Sequence, residues 1–419
     1  MDAVGSGGHG KISFGNPFVS LKHRNFRYYF FGMCVSTIGT WMQNTAQPWL
    51  AYSLTRSPFL LSLVSALQFT PVLLFSLFAG VIIDKVPKRK ILIFTQLASA
   101  VITGSLALLV WSGQIQYWHL LITSTLLGFV NTLDMPSRQS FVIEMVGHDD
   151  LMNAIALNSM TFNVARIVGP SIAGIVIGLC GTAVCFFANS ISFGAVLISL
   201  FFIHPVSPQT LDSVKGQSVM ANIGDGLRYI KHKDVLLTTL MFIAVTSTFV
   251  PNFGVTIPVF AKQVLGQQAT GYGFLMSFMG TGSLCGALLI ATLSKNGPKR
   301  FVLYIVPVIA GTFLMCTGFT NVYFLTAMFL GITGFFFVSF QSTANSSLQL
   351  NIDDGYRGRV MSVYTLVNAG STPIGNLFVG AMDDLLGARA GFILSGAAVL
   401  LLMAPIYIIL LRKRAKQSV

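Results

Sequence analysis

The chain has 419 residues, of which 53% are hydrophobic and only 9% charged, and its formal net charge is +13. A soluble domain is about a quarter charged, so this composition excludes a protein that covers itself with a water-facing surface. The basic residues sit in short clusters between apolar runs, which reads as membrane topology and excludes nucleic acid as a partner.

A helix needs about 20 apolar residues to cross hydrocarbon. In chain order the candidate runs are Phe26 to Ser53, Phe59 to Ile83, Lys90 to Trp111, Trp118 to Ser140, Leu151 to Leu179, Thr182 to Ile203, Val235 to Ala261, Tyr272 to Leu293, Phe301 to Phe319, Val322 to Leu348, Val360 to Leu386 and Ala390 to Leu411. They are continuous and rich in Leu, Phe and Ile, where a β-barrel would show alternating segments of about ten residues. The predicted fold class is therefore an all-α membrane protein with twelve transmembrane helices. The Gly-rich first sixteen residues lack the apolar core of a signal peptide, so the first run is expected to stay in the mature protein. The five cysteines (Cys34, Cys180, Cys185, Cys285, Cys316) show neither metal-site nor disulfide-scaffold spacing, and no metal or other cofactor is expected.

Basic residues mark one side. They precede run 1 (Lys11, Lys22, Arg24, Arg27), separate runs 2 and 3 (Lys85, Lys88, Arg89, Lys90), and recur in the central loop, at Lys299 and Arg300, at Arg357 and Arg359, and in the tail from Arg412. The other side carries little more than Arg56, Lys262 and Arg389. By the positive-inside rule both termini are expected in the cytoplasm, in a plasma (inner) membrane.

The chain also repeats itself. "PKRKIL" at Pro87 to Leu92 returns as "PKRFVL" at Pro298 to Leu303, an offset of 211 residues, and Pro170 in run 5 is echoed by Pro373 in run 11 at an offset of 203. This predicts a six-helix bundle over 26–203, a linker loop over 204–234 and a second bundle over 235–411, with an N-terminal tail over 1–25 and a basic tail over 412–419. Parallel halves of this kind, with a substrate site between them, belong to secondary transporters.

Two motifs sharpen the reading. "GVIIDKVPKRK", Gly80 to Lys90, closes run 2, and "NVARIVGPSIAG", Asn163 to Gly174, lies in run 5. Together with "GTWMQNTAQPWL" and "DMPSRQSF", they resemble the major facilitator superfamily, most of all the branch with the enterobactin exporter and the macrolide efflux proteins. In that resemblance Gly80, Asp84, Lys85, Lys88 and Arg89 form the loop signature after helix 2, with Pro87 in place of its second glycine. Gly169, Pro170 and Gly174 fall on the antiporter signature of helix 5, with Ala165 and Ala173 replacing glycines. The resemblance implies a gate at Asp84, with Lys88 or Arg89 reaching Asp134 to hold the halves closed on the cytoplasmic side. It also implies efflux by alternating access coupled to a proton gradient.

Small residues in run 5 face a Gly-rich run 8, which predicts contact between the two across the halves. Arg166 lies about 22 Å into run 5, at 1.5 Å per residue, and an intramembrane charge is a functional-site hypothesis. It is expected to face a central cavity beside Asn163, or else to be held by backbone carbonyls or another partner. Trp41, Gln43, Asn44, Gln68, Asn158, Asn252, Gln341 and Asn345 are candidates for the same cavity or for interhelical hydrogen bonds. With a cation, amides and no deep acid, the cavity would favour an anionic or neutral amphipathic molecule, siderophore- or macrolide-like, over a cationic drug. A lysophospholipid carrier of the same fold and a non-transporting sensor are the alternatives. Asp134 and Glu144 are the proton-coupling candidates, although Asp134 with Arg138 four residues on also describes a static ion pair. No nucleophile–base pair lies within the runs and no segment resembles an ATP-binding loop. The expectation is a monomeric transporter, not an enzyme, whose partners are a small-molecule substrate, a proton gradient and membrane lipids.

Overall fold

The computed structural model describes residues 18–147, 149–203, 219–293 and 298–417. A short 3-10 turn, Val19–Lys22, leads into fifteen α-helices. The first six are α1 (Arg24–Thr55), α2 (Pro58–Lys85), α3 (Lys88–Trp111), α4 (Tyr117–Val146), α5 (Leu151–Cys180) and α6 (Thr182–Phe202). After α7 (Val219–His232) come α8 (Asp234–Phe249), α9 (Phe253–Gln263), α10 (Ala269–Leu293), α11 (Arg300–Tyr304), α12 (Val306–Phe319), α13 (Tyr323–Asn351), α14 (Arg357–Leu386) and α15 (Ala390–Gln417).

The helices start and stop for local reasons. Ser57 caps α2 by accepting the Leu60 N–H at 3.3 Å, with Pro58 in the first position where a missing N–H costs nothing. Gly181, at φ +82°, is the single residue between α5 and α6, and a side chain would resist that reversal. Two expected runs are broken. Val250 to Asn252, with Pro251 inside, separate α8 from α9, and Ile305 just ahead of Pro307 separates α11 from α12. Counting each broken pair as one and leaving out the short polar α7, the described helices make twelve crossings.

Nine stretches among the described residues are long and apolar enough to cross a membrane. The other three crossings, α1, α4 and α14, fall short because they carry the polar and charged side chains of the interior. Leu179, Ile191, Phe324 and Leu401 are each more than 70% exposed, an apolar surface that belongs in lipid.

Packing repeats in the two halves. In the first, α1 meets α5 and α6, α2 meets α4, and α3 meets α4 and α6. In the second, α8 meets α14 and α15, α10 meets α13, and α12 meets α13 and α15. Shifting the helix order by six crossings turns the first set into the second, so this is a pair of pseudo-symmetric six-helix bundles. The helix pairs α2–α14 and α5–α10, also equivalent under the shift, join the halves. Of the stretch expected as a linker loop, 204–218 lies outside the described residues, and the remainder forms α7, which packs on α8 and α14.

Among the described residues, hydrogen bonds between halves lie toward the face opposite the termini. Ser57 Oγ donates to Asp384 at 2.8 Å, Gln263 Nε2 to the Tyr52 hydroxyl at 2.5 Å, and Thr270 Oγ1 to the Gly174 carbonyl at 3.1 Å. Deeper in, Ser277 Oγ reaches the Ile167 carbonyl at 2.6 Å, and Trp49 stacks on Tyr272 with centroids 5.6 Å apart. Near the termini, ion pairs within single halves among the described residues include Lys22–Asp150 and Lys88–Glu144 in the first and Lys233–Asp353 and Arg359–Asp225 in the second. The molecule is sealed on the far face.

Candidate functional site

Helix α5 is where the seam and the half-buried cation Arg166 meet. Pro170 has no N–H for the Arg166 carbonyl, four residues earlier. That carbonyl faces Gly280 of α10, where an added Cβ would lie 3.0 Å from it, so the freed oxygen and a bare backbone share the crossing. Gly174 lies against α10 more closely still, since a Cβ there would sit 2.8 Å from the Ala269 carbonyl. Gly169 instead faces α1 and the Trp41 Cβ.

The Arg166 side chain leaves the seam toward α1. Its guanidinium carbon lies 5.6 Å from the Trp41 ring centroid and 5.8 Å from that of Phe162, one turn earlier on α5. The two rings meet edge to face at 5.5 Å. Contacts of this kind contribute about 0.5–2 kcal/mol each and hold the fork without neutralising it. Nε is buried with no hydrogen-bond partner, and no carboxylate lies within 4 Å of Arg166 among the described residues. A charged fork beside aromatic faces can take a carboxylate, phosphate or phenolate bidentately.

The second half supplies an uncharged counterpart. Ser247 Oγ of α8 donates to Asn368 Oδ1 of α14 at 2.7 Å, and Gln341 Nε2 of α13 donates to the same oxygen at 3.0 Å. Gln341 Oε1 is buried without a partner. Asn368 precedes Pro373 by five residues and Arg166 precedes Pro170 by four, so the two polar centres share a depth in equivalent helices. Ser247 and Asn368 were not among the residues expected from sequence. The offset of 203 residues held the signal, because it maps Asn368 onto Ala165, next to Arg166.

The remaining candidates divide. Asn44 is exposed, and Gln68 and Asn158 are half-buried. Asn163 donates to the Ser159 carbonyl at 2.8 Å, and Asn345 accepts from Gln349 at 2.7 Å. Two of the candidates are buried. Gln43 is buried inside the first half, where Oε1 accepts from Thr103 at 3.1 Å and from Asn189 at 2.6 Å. Asn252 is buried at the α8–α9 break, donating to the Thr248 carbonyl at 2.7 Å against Gly375. Gln43 satisfies polar groups within its own bundle, whereas Asn252 keeps its Oδ1 buried without a partner.

Lys88 and Arg89 take partners other than Asp134 in this structure. Both bases are in the first turn of α3, which packs on α4 and α6 of the same half. Lys88 lies 3.5 Å from Glu144 at the end of α4, and Arg89 donates to the Leu200 carbonyl closing α6 at 2.8 Å. Asp134 is ten residues, about 15 Å, further into α4. There it accepts from Thr95 at 2.6 Å and Gln96 at 2.8 Å, and its second oxygen pairs with Arg138. Gly80 faces open space and Lys85 is exposed, while the Asp84 side chain lies outside the described residues.

Two pseudo-symmetric bundles, sealed on one face and carrying polar centres at matched depth, define a membrane transporter of the major facilitator superfamily. The chain belongs to the family described as "Transmembrane secretion effector", whose model matches residues 15–419. It is 24% identical over 387 residues to the staphyloferrin A transporter of Staphylococcus aureus, covering 91% of this chain and 96% of that one. It is 24% identical over 379 residues to the multidrug efflux pump Tap of Mycolicibacterium fortuitum, covering 89% and 92%. Among solved structures, an inward-facing, unoccupied bacterial homologue of the human lysosomal transporter Spinster superposes with TM-score 0.72 at 12% identity, covering 92% of this chain and 96% of that one.

Proposed function

We propose that this protein exports an anionic or neutral amphipathic small molecule, siderophore- or macrolide-like, by proton-coupled alternating access from a plasma (inner) membrane, as a monomer with both termini in the cytoplasm. The observation that carries the reading is Arg166, set between Trp41 and Phe162 with an unpartnered Nε and no acid beside it. A permanent cation kept in low dielectric without a counter-charge attracts an anion from a ligand and repels a lipophilic cation. Ser247, Gln341 and Asn368 add directional polar contacts from the other half, and the aromatic rings suit a flat substrate. The relatives named for a siderophore and for multidrug efflux support the same substrate range. Contacts between the halves on the face opposite the termini fit an exporter that loads from the cytoplasm. Asp134 and Glu144 remain the coupling candidates read from sequence, both of them engaged by bases.

The test is uptake into inverted vesicles of a catecholate siderophore, a neutral macrolide and a lipophilic cation, with and without an imposed proton gradient. Gradient-driven uptake of the siderophore or macrolide, reduced about tenfold or more in Arg166→Ala, is expected; a loss of that size corresponds to about 1.4 kcal/mol. Uptake of the lipophilic cation alone, unchanged in the variant, would overturn the reading.

A further inference from the structure

Among the described side chains two carboxylates are buried, Asp134 and Asp383, and they are treated in opposite ways. Asp134 has an arginine and two neutral donors. Asp383, 3% exposed near the end of α14, accepts a single hydrogen bond, from the Gly391 N–H at the start of α15 at 2.6 Å. Its other oxygen is buried with no partner.

None of the ionisable groups around it forms an ion pair with it among the described residues. Asp384, next in the chain, accepts from Ser57 of the other half. Arg389, at the turn into α15, is spent on the carbonyls of Gly318 and Thr320 and on Asn321. From α1, Tyr52 lies within electrostatic range of Asp383, Asp384 and Arg56, and its hydroxyl accepts from Gln263 of α9. Lys262 of α9 stands over the Trp49 and Tyr52 rings at 5.4 and 5.6 Å. No cation lies within 4 Å of Asp383 among the described residues. One turn before it, Gly380 lies so close to Ser62 of α2 that no side chain would fit, so Asp383 sits under the seal between halves.

We propose that Asp383 is a proton-binding group whose protonation favours sealing of the face opposite the termini. A carboxylate with one donor and one stranded oxygen, cut off from water, is favoured in its neutral form. Parting of the halves at this face admits water to Asp383 and favours the ion. Closing therefore takes up a proton and opening releases one, so acid on that face favours the sealed state and alkali the open one. The proton needs no oxidant or other co-reactant. This inference rests on the proton-coupled reading only for how the cell uses the switch; it supplies a group that Asp134 and Glu144, both engaged by bases, do not.

The experiment places spin labels at Leu54 and Gln268, on the far ends of the two halves, in the full chain with its five native cysteines replaced, and follows their distance distribution in nanodiscs from pH 5 to pH 9. The wild type should shift from sealed to open as pH rises, by up to about tenfold in population ratio per pH unit within the titration range. Asp383→Asn should stay sealed and insensitive to pH, and Asp384→Asn should respond like the wild type. If Asp383→Asn does not fold, Asp383→Glu must keep the pH response with a displaced midpoint. A response that survives unchanged in Asp383→Asn, or that Asp383→Glu abolishes, overturns the proposal. Uptake in inverted vesicles separates the two readings: a distance that titrates through Asp383 without gradient-driven transport supports the switch and removes the coupling. Gradient-driven transport with a distance that ignores Asp383 does the reverse.

Discussion

Replacing Arg138 with Met keeps most of the side-chain volume and strands the Asp134 carboxylate. Asp134 is 8% exposed and would retain only Thr95 and Gln96, both on the same oxygen. Breaking a buried pair by removing one partner costs about 3–5 kcal/mol. Asp134→Asn added to Arg138→Met removes the charge and keeps an acceptor for Thr95 and Gln96, and should restore most of the loss. The assay is thermal unfolding of the purified transporter in nanodiscs at one scan rate, since unfolding of such a protein is read as an operational temperature. A single variant as stable as the wild type, or a double variant no better than the single, would each refute the reasoning.

Gly174→Val puts a Cβ 2.8 Å from the Ala269 carbonyl and 3.1 Å from the Gly273 Cα, both backbone atoms that cannot swing away. It should force α5 and α10 apart and reduce transport at least tenfold at normal expression, whereas Gly80→Ala, which meets nothing within 4 Å, should fold and express like the wild type. The segment before α1 is tied to α5 by Asp150, which pairs with Lys22 and His23 at 2.7 Å each, and these bonds hold its carboxyl below the usual range. A depressed acid contributes its stability above the unfolded pKa and loses it as pH falls through the folded one, so docking should weaken below the ordinary aspartate range and in Asp150→Asn at any pH. Limited proteolysis after Lys22 or Arg24 reads this, and equal protection of variant and wild type would count against it.

Much of the fold was legible because membrane helices advertise themselves by length and apolarity, and because the repeat survived in two motifs. The breaks at Val250 to Asn252 and at Ile305 were harder to see, since proline within an apolar run reads equally as a kink or a stop. Helix α7 was hidden because a short polar segment carries no apolar run; in the structure its Gly226 lies against the Arg359 carbonyl and Tyr229 stacks on Tyr356. Polar residues were the hardest to place. Gln43 and Asn44 are neighbours, yet consecutive helical positions point about 100° apart, so one enters the bundle core and the other does not.

The reach expected from the start of α3 to Asp134 has the same origin and carries a further lesson. Opposite charges at the ends of apolar runs invite pairing across the molecule, but a long helix places its own acids at different depths, and the near one wins. Glu144 at the end of α4 takes Lys88, which leaves Asp134 to its i+4 arginine. In the first half Asp134 and Glu144 of α4 are thereby matched with bases, whereas Arg166 has no carboxylate within 4 Å among the described residues. In the second half Asp383 has an N–H where Asp134 has an arginine. Pseudo-symmetry fixes where helices cross and kink; it does not fix which crossing carries charge. For the proposed proton-coupled export of an anion that asymmetry is useful, because a proton and a substrate anion demand sites of opposite sign, and two bundles of one design can hold them apart on separate helices.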